Sequence, residues 1–238
     1  MKNIKFTTHE SVHGIIPEPK PAKKCIPQWY KNLSKEIVPL HPDPNIGVSQ
    51  LLSIKACPPI QDYICTGYIL STISDWLFTK TDSEGDEAPE YGVSDKLSTL
   101  YQSFSYHSPM QVKNTSFEGK TTYKFNAPWS IETPKGYSCL FVRPFFSDTK
   151  GVEIIPAVVD TDVYHQVNFP FFLNREEESF TLPKDTPIVQ IIPFKREAWK
   201  MSNEMEKEAD FGKKVAINLT VFRNLYRKLR VQNKRTFL

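Results

Sequence analysis

A chain of 238 residues with 30 Lys and Arg against 27 Asp and Glu carries a formal charge of +3, too small to imply nucleic-acid binding by itself. Hydrophobic residues at 39% and charged residues at 24% describe an ordinary folded protein, long enough for one sizeable core. No run of about 18 apolar residues exists to span a bilayer as a helix, and 19 prolines against 9 glycines oppose long helices through the middle of the chain.

The start, MKNIKFTTHESVHG, is basic but lacks an apolar run followed by small cleavage-site residues, so a cytoplasmic protein without a secretory signal is expected. Residues 15–45 hold seven prolines around one short helical signal, in which Pro27 opens a turn carrying Trp29, Tyr30 and Leu33. This reads as an arm over the core, anchored by Trp29. From Ser53, the pieces SIKAC, DYICTGYILST and DWLFTK are rich in aromatic and β-branched residues and read as strands. The acidic stretch 81–92, TDSEGDEAPEYG, reads as an exposed loop or hairpin tip. Asp82, Glu84 and Asp86 meet only the first half of a calcium-loop pattern, so no metal site is expected there. Cys25, Cys57, Cys65 and Cys139 form no CxxC pair, which argues against a zinc ribbon or dithiol site, and four reduced, buried thiols are expected.

Between Gly136 and Phe194 the sequence reads as four or five short β segments. The turns Pro134-Lys135-Gly136 and Pro183-Lys184-Asp185 punctuate them, with Pro134 at the second position of a tight turn. In IIPAVVDTDVYHQVNFPFFL a hydrophobic strand ends at Asp160, an acidic turn follows, and a strand leaves through Val167, Phe169, Phe171 and Leu173. Asp160 and Asp162 are either a water-activating pair or turn-capping carboxylates. Arg143 is either a phosphate ligand or a sheet-edge ion-pair partner. His165, beside Tyr164, is either an acid–base group or structural. After Pro193 the proline-free remainder reads as helix, acidic through Asp210 and then basic. Eight Lys or Arg residues and no acid occupy 211–238. Val215, Leu219, Phe222, Leu225, Tyr226 and Leu229 form an apolar stripe, so that tail either packs as a helical hairpin or holds nucleic acid through Arg223, Arg227 and Arg230.

The order VVDTDVYHQV, FFLNREEESFTL, KDTPIVQIIPF, preceded by GYSCLFVRP, resembles the C-terminal half of the dUTPase and dCTP deaminase superfamily. The resemblance implies a β-clip fold over roughly residues 50–196, in a phage or bacterial protein. The fold class expected is therefore mainly β, a distorted barrel or sandwich of short strands with a C-terminal helical extension. The expected division is an arm over 1–50, a β domain over 51–196 and an extension over 197–238. By the same resemblance Asp160 orients the sugar hydroxyl and attacking water, Tyr164 is the nearest candidate to stack on the sugar, and sites lie between subunits of a trimer. The family's phosphate-binding Arg-Ser-Gly is here Arg143-Pro144-Phe145, which loses a hydroxyl and a backbone N–H, and the Gly-rich C-terminal lid is missing. The expectation is a diverged, noncatalytic β-clip protein with a binding or assembly role. The alternatives are a dUTPase-type hydrolase using Asp160 with magnesium, and a nucleic-acid accessory protein acting through the tail. No cofactor is expected otherwise.

Overall fold

The computed structural model describes residues 2–37, 51–81, 91–174 and 177–216. Its elements run in order β1 (Lys5–Thr7), β2 (Lys20–Pro21), α1 (Gln28–Asn32), β3 (Glu36–Ile37), β4 (Leu51–Leu52), α2 (Pro58–Cys65), β5 (Tyr68–Ser71), β6 (Trp76–Lys80), β7 (Tyr91–Asp95) and β8 (Phe104–His107). They continue with β9 (Thr122–Asn126), β10 (Ser130–Glu132), β11 (Tyr137–Val142), β12 (Val152–Ile154), β13 (Ala157–Val159), β14 (Asn168–Leu173), β15 (Ser179–Leu182), β16 (Pro187–Lys195) and α3 (Glu208–Ala216). The expected mainly β fold is present.

The chain divides into two compact units, one of Met1–Pro27 with Ile64–Arg196 and one of Gln28–Tyr63 with Glu197–Leu238. The first boundary differs from the sequence reading because the N-terminal stretch pairs into the β unit. There β1 lies antiparallel to β10 and β2 to β5, Thr8 donates to the Pro128 carbonyl (2.6 Å), and the Trp129 indole donates to the Pro17 carbonyl (3.2 Å).

In the β unit the sheets run β13-β11-β16-β5-β2, β12-β14-β9-β8, β15-β6-β7 and β1-β10. Their inward faces share one core that includes Leu70, Trp76, Phe78, Phe125, Phe141, Phe169, Phe171, Leu182 and Ile191, plugged by Val12 and Ile16 from the N-terminal stretch. Aromatic edges fill it: Phe171 stacks on Tyr123 with ring centroids 5.3 Å apart, and Trp76 meets Phe104 edge-on at 4.8 Å. Phe169 and Phe171 alternate inward along β14, as their spacing requires. Phe172 points the other way and stacks on Phe117.

Six strands, not four or five, are formed by the described residues of 137–195. The extra one arises at Pro156, which splits the expected single strand IIPAVV. The chain leaves β12 in the four-stranded sheet and enters β13 in the five-stranded one, because proline cannot donate to a ladder. The hairpin β6–β7 closes on the pair Lys80↔Tyr91. Its tip, with Asp82, Glu84 and Asp86, lies outside the described residues.

Several local expectations change in the structure. In the second unit, SIKAC is a 3-10 turn whose Ser53 hydroxyl accepts from the Lys55 N–H. The stretch DYIC falls in α2, which Pro58 and Pro59 start because their fixed φ suits a first helical turn. Tyr30 rather than Trp29 is the buried aromatic of α1. Cys139 alone among the cysteines is buried, and Cys65 is exposed. Residues 197–207 form no helix. Helix α3 begins at Glu208, with Lys214 paired to Glu206 and Lys213 to Asp210. Arg223, Arg227 and Arg230 lie outside the described residues. No helix among the described residues is long and apolar enough to cross a membrane.

Candidate functional site

Strand β11 carries the site. Its register pairs Cys139 with Val159 on one side and Ser138 with Phe194 on the other, so the bend 160–162 and the end of β16 converge on the start of β11. The turn before β11 brings a further donor to the same place. Tyr137 N–H donates to the Pro134 carbonyl (3.1 Å), which makes Pro134 the first residue of the turn, not the second, and leaves Gly136 at φ +85°.

Arg196 closes this corner. Its backbone N–H donates to the Gly136 carbonyl (2.9 Å), and its guanidinium Nη1 lies 2.8 Å from Asp162 Oδ1 and 3.1 Å from Asp160 Oδ1. The other terminal nitrogen meets Asp162 Oδ2, so Arg196 and Asp162 form a two-point pair. The Ser138 hydroxyl donates to Asp160 Oδ1 (2.6 Å) while accepting from Arg196 (2.9 Å). Gly136 N–H donates to Asp162 Oδ2 (2.7 Å).

The Asp162 side chain is 4% exposed, and that of Asp160 is 59% exposed. The Arg196 hydrogen bond, with help from Gly136 N–H, holds the Asp162 carboxyl down at about 2, and Asp162 in turn raises the Arg196 guanidinium. Beneath the bend, the Thr133 and Thr161 hydroxyls lie 2.7 Å apart, and Thr161 Oγ1 is 3.3 Å from Cys139 Sγ. Burial pushes the Cys139 thiol up, with the Thr161 hydrogen bond opposing it.

The remaining candidates are not gathered here. Arg143 follows β11 at its far end, five residues beyond Ser138, which is roughly 17 Å along an extended strand. There it donates to Thr149 Oγ1 (3.4 Å). Arg143 is not among the described side-chain contacts of Asp160, which run to Ser138 and Arg196. Tyr164 gives its backbone N–H to the Asp160 carbonyl (2.9 Å) and leaves its ring exposed. His165 faces β10, where its carbonyl accepts from Ile131 N–H (2.8 Å), and its Nε2 is buried without a partner among the described residues. Sequence reasoning passed over Arg196 and Ser138. One signal was present: the apolar strand PIVQIIPF runs out into Lys195 and Arg196, and a basic residue at a strand end is a natural counter-ion for a two-acid turn.

Chemically, the corner neutralises two carboxylates with one guanidinium. Among the described residues no group of three or more His, Cys, Asp or Glu side chains is placed to hold a metal ion. The donor set does not fit a protein-held magnesium, since two carboxylates meet and both already accept from Arg196.

The strands and this corner define a mainly β protein whose acidic turn is bonded within the chain. No family model matches the chain, and no curated protein matches it. Among solved structures it is similar to a point variant of the dUTPase of Staphylococcus bacteriophage 80alpha, at 8% identity and a TM-score of 0.39, over 87% of this chain and 98% of that one. It is also similar to a second point variant of that dUTPase, solved with dUpNHpp, at 10% identity and a TM-score of 0.34, over 60% of this chain and 78% of the other.

Proposed function

We propose that this chain is a noncatalytic β-clip protein with an assembly role, in which the Asp160–Asp162 turn serves as an internal clamp. The observation that carries this reading is Arg196, which pairs with both carboxylates of the turn and holds Asp162 at two points. A hydrolase also needs positioned donors on the transferred phosphates. Arg143 stands at the other end of β11, and Pro144 beside it supplies neither hydroxyl nor N–H. The assembly half is supported by apolar side chains left exposed along the bend and its strand, Val158, Val163 and Tyr164.

One observation favours a second reading. The Asp160 side chain is more than half exposed and all its described contacts run through Oδ1, so a dUTPase-type hydrolase completed by a second subunit would present that carboxylate. The nucleic-acid reading rests on Arg223, Arg227 and Arg230 and the acid-free sequence around them. The protein incubated with magnesium and each deoxynucleoside triphosphate is expected to release no pyrophosphate. Release that disappears in Asp160→Asn would overturn the noncatalytic reading.

A further inference from the structure

Strand β16 is held on both sides as far as Ile191. Its pairing with β5 ends there, at Tyr68↔Ile191, whereas its pairing with β11 runs on to Tyr137↔Lys195. Pro193 accounts for the difference. Arg196 N–H donates to the Gly136 carbonyl (2.9 Å), and bonding alternates along an antiparallel strand, so Ile192 and Phe194 also face β11 while Ile191 and Pro193 face the β5 side. Proline has no N–H to give there, so the second ladder does not continue past it. A strand end with one partner is where a sheet opens most easily. Yet the tip of this one is densely bonded. Through Nη1 the Arg196 guanidinium donates to the Tyr137 carbonyl (3.2 Å), the Ser138 hydroxyl (2.9 Å) and Asp162 Oδ1 (2.8 Å), and through Nη2 it meets Asp162 Oδ2. Tyr137 and Ser138 belong to β11, while Asp160 and Asp162 follow β13 on the far side of β11. Arg196 therefore reaches across β11 and ties the ends of three neighbouring strands together. It is also the last residue of the β unit, since Glu197 belongs to the second unit.

We propose that residues 192–196 are a strap with Arg196 as its latch: closed, it holds the one-sided end of β16 on β11 and fixes where the chain leaves the β unit; open, that end peels back to Ile191 and bares the β11 backbone from Gly136 to Leu140. The two carboxylates are the catch. Opening is local because β16 up to Ile191 stays held by β5 and does not depend on the latch. Hydrogen bonds to charged groups carry more stability than neutral ones, so one guanidinium decides between the two states. This latch rests on the internal-clamp reading of the same turn and names the segment that the clamp fastens.

The test is native-state hydrogen exchange of the full chain, followed amide by amide by NMR, in the natural sequence, Asp162→Asn and Arg196→Gln. The readout is the exchange rate of the Phe194 amide, which faces β11, relative to that of the Ile191 amide, which faces β5. In the natural chain the Phe194 amide is expected to be protected. Each variant should speed it at least roughly ten-fold relative to Ile191, the loss expected when hydrogen bonds to a charged group are removed. The ratio cancels any general loss of stability, which speeds both amides alike. A Phe194 amide that exchanges freely in the natural chain overturns the latch without recourse to any variant, and so does a ratio that neither substitution moves. If the Asp162 carboxyl still titrates low in either of those cases, the latch falls and the clamp stands. A carboxyl that titrates at its ordinary value overturns both, whatever the nucleotide assay gives.

Discussion

Gly67 offers the sharpest stability test of the β unit. It sits at φ +74°, and a methyl built on its Cα falls 2.0 Å from the Ile191 carbonyl oxygen in the middle of β16. That oxygen belongs to a backbone held on both sides, by β11 and β5, so it cannot swing away as a side-chain tip would. Gly67→Ala carries about 1–2 kcal/mol for the left-handed backbone and about 1–3 kcal/mol for overpacking, a total of roughly 2–5 kcal/mol. Against a stability of about 5–15 kcal/mol, a thermal midpoint about 4–20 °C lower is expected. Gly136 supplies the control. It is also left-handed, at φ +85°, but nothing lies within 4 Å of an added methyl, so Gly136→Ala should show only the backbone share of about 1–2 kcal/mol. Urea melts of both variants separate close approach from backbone strain. Equal losses at the two glycines would refute the packing argument.

Phe171→Ala removes a fully buried ring that stacks on Tyr123 and meets Phe78 and Phe104 edge-on, and should cost about 3–5 kcal/mol in the same melts. The Asp162 carboxyl is depressed in the folded state, so its clamp contributes fully above the ordinary value of 3.8 and is lost as pH falls through about 2. Acid melts between those values should therefore show a slope that Asp162→Asn removes, and an unchanged slope would count against the clamp. Cys65, which is exposed, should react with a thiol reagent in the native protein, whereas Cys139, buried with its thiol pushed up, should react only on unfolding.

Much of the β architecture was legible because it depends on period and punctuation. Alternating phenylalanines in NFPFFL set the inward face of β14, and Gly136 marked the turn into β11. Pro156 was visible but its effect was not, since splitting a strand between two sheets depends on partners far away in sequence. The helical start of α2 was hidden for a different reason: apolar and aromatic residues in DYIC suit a strand as well as a short helix, and the two preceding prolines decide. The acidic bend was legible as a turn with chemistry in it. Its counter-ion was not, because Arg196 lies 34 residues from Asp162 and meets it only through the β11–β16 register. Arg143, grouped with Asp160 by resemblance, follows β11 at the end opposite Ser138, which is the residue of that strand that binds Asp160.

The most direct test of the internal clamp is a carboxyl-detected NMR titration of Asp162 in the folded protein. The clamp predicts an inflection at about 2 that moves up toward the ordinary 3.8 in Arg196→Gln. An inflection already near 3.8 in the natural chain, unmoved by Arg196→Gln, would show an open carboxylate and contradict the reading of this turn.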